Sequence, residues 1–382
     1  MKKQENNKIF QDKIIPLREN IDRIDSQILS LLEQRHDQVL KVVKLKKEHN
    51  IPVYHPAREE DLISRIRIQA EKAGLDPGFM EDLYRIILRQ SRVKQTDQME
   101  VSSILPGGKV LIVGGSGQMG SFFASLFGKS GYEVRILGKS DWHRAENLCK
   151  DIDLALVSVP IEKTCDIIEK LKPYLPLSAV LADFTSIKEE PVKKMMECHN
   201  GPVTGLHPLF GPDTGSLDKQ IIVTTPGRDA KACQWVIDQL SIWGAVIVRS
   251  SAAEHDNIME VVQALRHFAT FCFGQFLYNR DAKLERTLEF SSPIYRLELG
   301  MVGRLFAQDA TLYSEIIFAT KERRDLLKEY ISSLKCHIEM LEKNDKQLFV
   351  EKFNKVSEWF GPFGEQAMRE STFLINKLIE RF

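Results

Sequence analysis

The segment KVLIVGGSGQMGSFFASLFGKSGYEVRILGKSDW, which begins at Lys109, constrains the fold more than any other part of the chain. An apolar run, VLIV, meets Gly115, Gly117 and Gly120 in G-x-G-x-x-G spacing, and a helical stretch and a second apolar run follow. That order predicts a strand, a tight turn, a helix and a parallel strand, the opening unit of a doubly wound α/β sheet. Such glycines let the backbone approach a pyrophosphate, whose charge the helix N-terminus favours. Gly115, Gly117, Gln118, Met119 and Gly120 are therefore the candidate dinucleotide-binding residues. A glycine triplet alone is a weak signal; its place between strand and helix gives it meaning.

The second run ends in Gly138, Lys139 and Ser140, where an acid that holds the adenosine ribose is expected. Losing a carboxylate and gaining the Lys139 cation suits a 2′-phosphate, hence NADP. If Asp141 or backbone groups hold the ribose instead, NAD is preferred. The residues alone leave both cofactors open. The runs LALVSV, AVLADF, IIVTT and AVIVRS continue the α/β pattern to about Arg249. Residues before and after it read as helical. The predicted organisation is an all-α domain (1–98), a polar linker (99–108), a Rossmann-type domain (109–250) and an all-α domain (251–382).

Lys plus Arg and Asp plus Glu both number 53, so no charge excess points to nucleic acid or a membrane surface. No apolar run approaches the roughly 20 residues of a membrane helix, and MKKQENNKIFQDK lacks the apolar core of a signal peptide. The six cysteines, 149, 165, 198, 233, 272 and 336, show no CxxC or metal-ligand spacing. They imply reduced thiols, no metal site and a cytoplasmic location.

In the first segment a long helix is expected from Leu17 to about Asn50, a second from near Ala57, and a third after GLDPG. On the first, Ile21, Ile24, Ile28, Leu31, Leu32, Val39 and Val42 form one apolar stripe. Arg35 and Lys46 fall inside that stripe, and Arg18 lies off it. Either cation alone is accounted for by its stem reaching to water. Two on one buried stripe, with no carboxylate beside them, point to a dianionic ligand, because an unpaired buried cation costs several kcal/mol. Arg58 and Glu59 open the second helix, and Ser91 and Gln95 share a face of the third.

The blocks LRENIDRIDSQILSLLEQR, KLKKEHNIPVYHPAREE and RQSRVKQ resemble the all-helical chorismate mutase domain, in which two chains intertwine. The resemblance implies that Arg18, Arg35 and Arg58 hold the two substrate carboxylates, with Arg18 reaching the partner's site. It implies that Lys46 and Gln95 donate to the ether oxygen, Glu59 binds the ring hydroxyl and Ser91 lines the pocket. Some relatives carry aspartate at the position of His55.

Two further stretches, ADFTSIKEEP and GPVTGLHPLFGPDTGS, read as loops beyond strand ends, where α/β sheets bind ligands. Ser186, Lys188 and His207 are their polar candidates; a histidine in a Gly- and Pro-rich loop is poorly explained as core packing. Together with EHDNIMEVVQALRHFATF and SSPIYRLELGMVGRLFAQD, these blocks resemble prephenate dehydrogenase. The whole chain thus resembles the bifunctional chorismate mutase/prephenate dehydrogenase family of tyrosine biosynthesis, whose members mostly use NAD. The resemblance implies that His207 takes the proton of the ring hydroxyl of prephenate and that Ser186 orients His207 or binds the same hydroxyl. Arg304 is the main guanidinium for a substrate carboxylate, with Arg296 and Lys188 as weaker candidates. Arg296 has an equal claim to a structural role. His267, otherwise a core histidine, is placed near the substrate side chain and in feedback inhibition by L-tyrosine, with His255 a weaker candidate of that kind. The long apolar helix after His255 and the intertwined mutase fold imply a homodimer. Rivals are an arogenate dehydrogenase fused to a mutase, and a ligand-sensing regulatory protein. No acid that would pair with the ammonium of arogenate is identifiable, and both Lys46 and Gln95, which a mere sensor would not need, are present.

Overall fold

The computed structural model describes residues 2–48, 56–98 and 103–379. They fall into two compact units: Met1–Ser158 with Ile168–Phe184 and Met195–Arg249, and Val159–Ile167 with Thr185–Lys194 and Ser250–Phe382.

The first unit opens with three helices, α1 (Lys2–Glu48), α2 (Pro56–Lys72) and α3 (Pro77–Gln98). The first helix begins well ahead of Leu17 and carries Pro16 inside it. Pro16 forfeits one backbone bond but is exposed, so water serves the freed carbonyl, and the Lys-, Gln- and Glu-rich residues before it favour helix. Asp76 and Pro77 start α3 as N-cap and first helical residue; the Asp76 carboxylate accepts the Phe79 N–H at 2.6 Å. Ile63, Ile66 and Ala70 of α2 are buried. The apolar stripe of α1, expected to be buried, is open in the single chain: Ile21, Ile24, Ile28 and Leu31 are at least half exposed. Toward its C-terminal end Val39 is half-buried and the neighbouring Val43 joins the buried cluster of Ile112, Phe123 and Leu240, while Val42 stays exposed.

That cluster belongs to the sheet. The chain continues as β1 (Lys109–Val113), α4 (Gln118–Lys129), β2 (Glu133–Leu137), α5 (Ala145–Cys149), β3 (Leu154–Val157) and α6 (Ile161–Leu171). There follow β4 (Val180–Asp183), α7 (Glu189–Cys198), β5 (Val203–Pro208), β6 (Ile221–Arg228), α8 (Ala230–Ile242) and β7 (Val246–Arg249). The strands lie in the order β2-β1-β3-β4-β5-β6-β7. All pairs are parallel except β5 with β6, where His207 faces Val223. The order reverses at β1, which places a ligand crevice beyond its C-terminal end. One strand departs from expectation: the stretch around His207 is β5, not loop. Gly205 and Pro208 lower its intrinsic strand preference, but ladders to β4 and β6 on either side override it.

The second unit is helical: α9 (Ala252–Met259), a π-helical turn (Glu260–Leu265), α10 (Arg266–Asn279), α11 (Leu284–Glu289), α12 (Pro293–Phe306), α13 (Ala310–Phe318), α14 (Lys321–Glu342), α15 (Lys346–Phe360) and α16 (Pro362–Ile379). Ser251, Ser292, Asp309, Thr320 and Asp345 each accept a backbone N–H at the start of the helix they precede. Phe276, Phe290, Phe318, Phe353 and Trp359 are all more than half exposed in the single chain. No helix among the described residues is long and apolar enough to cross a membrane.

Candidate active sites

The glycine-rich turn lies at the end of β1. Gly114, not singled out from the motif, makes the tight turn with φ +81°, and its N–H donates to Leu137 O at 2.9 Å. Gly115 is buried beneath Ile136, and Gly117 is the N-cap of α4. A side chain at Gly120 would lie 2.5 Å from Gly114 O, so α4 approaches the turn only because Cβ is missing. Gln118 and Ser121 of α4 line a cavity of about 440 Å³ with Phe122, Pro212 and Asp213. Met119 faces the apolar cluster instead. At the end of β2 Lys139 is exposed, and the Gly138 N–H donates to the Asp141 carboxylate at 2.9 Å. An acid, Asp141, therefore stands three residues beyond Gly138, in the turn that follows β2. Turn, helix N-terminus and carboxylate together fit a dinucleotide. His207 is buried near the end of β5, 2% exposed.

In the second unit Ser186 and Lys188 lie in the turn before α7, and Lys188 is fully buried. The backbone there is pinned by a residue absent from the sequence-derived set: Asp256 accepts the Lys188 and Glu189 N–H groups at 2.7 and 2.9 Å. It also pairs with His255 Nδ1 at 2.7 Å. Burial pushes the Asp256 carboxyl up, but these hydrogen bonds outweigh it and hold the group below its ordinary value. Arg323, also unforeseen and only 1% exposed, donates to Ile316 O and to Ser186 O. In the sequence it is one charge among several in KERRD, which reads as a solvated helix end. Burial lowers its pKa. On α12, Arg304 is exposed, and Arg296 is half-buried and donates to Leu288 O at 2.8 Å. Among the described residues no group of three or more His, Cys, Asp or Glu is placed to hold a metal.

His267 follows the π-helical turn, a local irregularity that is common at functional sites. Its ring meets Tyr313 edge-on, 4.8 Å between centroids. Burial, then the charges of Arg266 and Arg323, lowers its pKa from 6.5 to about 4. The unfolded chain therefore takes up a proton near pH 6.5 that the folded chain refuses until about pH 4. Stability present above pH 6.5 is lost as pH falls toward 4, by about 3 kcal/mol from this group. His267→Asn should remove that share of the difference between denaturation free energies at pH 7 and about pH 4.5. An unchanged difference would show that His267 is not responsible.

Among the mutase candidates, Arg35 and Ser91 come together: Arg35 Nη1 donates to Ser91 Oγ at 2.7 Å, joining α1 to α3. Ser91 Oγ in turn donates to Ile87 O. Glu59 faces Arg92 of α3, whose Nη1 lies 2.6 Å from both carboxylate oxygens. Arg58 and Arg18 are exposed. Seventeen residues of helix, about 26 Å, separate Arg18 from Arg35, so one chain cannot bring both to one small ligand. The side chains of Lys46 and Gln95, and the whole of His55, lie outside the described residues.

Three family models match the three sequence segments: chorismate mutase type II over residues 17–96, the nucleotide-binding domain of prephenate dehydrogenase over 135–249, and its dimerization domain over 251–355. The second model begins beyond the glycine turn, which the structure shows to be continuous with it through the β1–β2 pairing. The T-protein of Enterobacter agglomerans is 44% identical over 94% of this chain and 96% of its own length. The T-protein of Haemophilus influenzae is 42% identical over 96% and 98%. Prephenate dehydrogenase from A. aeolicus, solved with hydroxyphenyl propionate and NAD+, shares the fold at 22% identity with a TM-score of 0.53; the match covers 66% of this chain and 97% of that one. End-to-end identity to two T-proteins, and a mutase model and two dehydrogenase models matched in chain order, show that the chain belongs to the bifunctional chorismate mutase/prephenate dehydrogenase family.

Proposed function

We propose that the N-terminal helices rearrange chorismate to prephenate and that the remaining chain oxidatively decarboxylates prephenate to 4-hydroxyphenylpyruvate. The observation that carries this is the presence, ahead of a glycine-turn crevice, of a second and separate polar site on helices, where Arg35 is fixed by Ser91.

The mutase reaction needs no acid, base or covalent intermediate. It needs the substrate held in a folded conformer, with positive charge at the oxygen of the breaking C–O bond. Arg35 and Arg58 hold carboxylates, and Arg18 reaches the pocket of a second copy. Lys46 and Gln95 donate to the ether oxygen, Glu59 accepts the ring hydroxyl, and Ser91 lines the pocket and steadies Arg35. A homodimer follows from the same parts: the open stripe of α1 and the exposed aromatics of α10 to α15 are apolar surface that a second copy covers.

In the dehydrogenase reaction, NAD supplies the hydride acceptor when bound. His207 accepts a hydrogen bond and then the proton from the ring hydroxyl as the carbonyl forms. Ser186 orients His207 or binds the same hydroxyl, with its own backbone held by Arg323. Arg304 binds a substrate carboxylate in a bidentate fork, assisted by Lys188 and Arg296. Loss of the ring carboxylate as carbon dioxide completes aromatisation. Asp141 favours NAD over NADP, since its carboxylate accepts from a ribose hydroxyl and repels a 2′-phosphate. Neutral His267 lies where L-tyrosine acts as inhibitor.

Chorismate given without cofactor should accumulate as prephenate. Added NAD should then yield 4-hydroxyphenylpyruvate and NADH, with NADP the poorer substrate by at least about tenfold and Asp141→Asn narrowing that gap. Cofactor reduction with no prephenate formation, or the reverse, would remove one half of the assignment. A rate indifferent to L-tyrosine would remove the regulatory part.

A further inference from the structure

We infer that Asp218, contributed by the nucleotide-binding sheet, acts through Arg92 to position Glu59 in the mutase pocket. Asp218 and Arg92 lie 126 residues apart in sequence and in segments with different chemistry. Arg92 is the hinge of the arrangement. Its Nε lies 2.9 and 2.8 Å from the two Asp218 oxygens, and its Nη1 lies 2.6 Å from both Glu59 oxygens. The side chains are 7% exposed for Arg92, 9% for Asp218 and 17% for Glu59. Withdrawing three charges this far from water carries a large desolvation cost, and mutual hydrogen bonding in good geometry is what offsets it. One planar fork serving two carboxylates from adjacent edges fixes the direction of each.

The Asp218 end is rigid. It lies in the turn that leads into β6, where the Lys219 N–H donates to Gly244 O at 2.9 Å and the Gln220 N–H to Leu217 O at 3.0 Å. Gly244 has φ +101°, and a side chain there would lie 3.1 Å from Asp218 Cα. Leu217 beside it is fully buried in the sheet cluster. Glu59 sits in the first turn of α2, and the Arg92 guanidinium ties its carboxylate to the Asp218 turn. Asp218 thus sets the position of Arg92, and Arg92 that of Glu59. Arg92 is a positioning residue: it does not replace Arg35, Lys46 or any other group that meets the substrate.

The inference rests on the proposed contact between Glu59 and the ring hydroxyl. Its test is a double-mutant cycle on mutase kcat/KM in the full chain. Asp218→Asn should lower kcat/KM about fivefold and Arg92→Leu about twentyfold, within the range of coupling between contacting charged groups. Arg92→Lys, which keeps the charge and loses the fork, should fall between wild type and Arg92→Leu. In a Glu59→Ala background each of these losses should shrink below about twofold, because the residue through which they act is gone. A merely structural role would leave them undiminished there, and that result overturns the inference. Asp218→Asn changes little in shape, so it carries the test if Arg92→Leu proves unfolded by circular dichroism. If Glu59→Ala itself leaves mutase activity intact, the pocket assignment falls and the bridge falls with it. If Glu59→Ala is impaired but Asp218→Asn is not, the bridge alone is wrong.

Discussion

His207→Asn should stop reduction of NAD by prephenate, by about a thousandfold, while prephenate still forms from chorismate at the wild-type rate. A positioned general base contributes roughly 10² to 10⁴ in rate, and asparagine fills a similar space and forms hydrogen bonds but takes up no proton. Two structural facts make the substitution informative. The ring is 2% exposed, so water is poorly placed to replace it. It sits on a strand paired on both sides, through Gly205 to β4 and opposite Val223 of β6, so its backbone is held whatever the side chain. The measurement is initial rate of absorbance at the reduced nicotinamide band with prephenate supplied, beside a chorismate-consumption assay without cofactor. Dehydrogenase activity within a few-fold of wild type would exclude His207 as proton acceptor. Parallel loss of both activities would point to misfolding instead.

Lys46→Ala should lower the mutase rate at least about 100-fold, the scale of losing one preorganised donor to a developing oxyanion. The effect is electrostatic. The rearrangement moves electron density onto the ether oxygen, and with no proton transfer or nucleophile to compensate, a cation held there lowers the barrier directly. The arginines act differently: they bind substrate and transition state through carboxylates that change little, so their loss raises KM more than it lowers kcat. Lys46 should therefore show its effect in kcat. Single-turnover and steady-state rates of chorismate loss, with NAD reduction from supplied prephenate as the folding control, decide the matter. A loss below about tenfold would remove Lys46 from the ether oxygen.

Much of the architecture was legible because its causes are local. The G-x-G-x-x-G turn between an apolar run and a helix, the Asp-Pro start of α3 and the alternation of β-rich with helical stretches each depend on a few neighbouring residues. The strand carrying His207 was not legible, since VTGLHP has weak strand preference and is held by ladders to segments on both sides. Asp141 was legible only as one of several groups that could hold the ribose, for a related reason. The motif counts along a strand, whereas the Asp141 carboxylate returns through a turn to cap Gly138. Arg92, Asp256 and Arg323 were invisible as site residues because each sits in a charge-rich stretch that reads as solvated surface.

Periodicity and the glycine spacing by themselves determined that helices precede and follow a parallel sheet and that the crevice beyond β1 suits a dinucleotide, because those patterns arise from contacts a few residues apart. Tertiary structure decided which charges are withdrawn from water and what they face. A sequence cannot show that Arg92 lies between Glu59 and Asp218, or that Asp256 holds the turn of Ser186 and Lys188. Ion pairing and burial depend on distances across the folded chain, and residues from tens to more than a hundred positions apart set them.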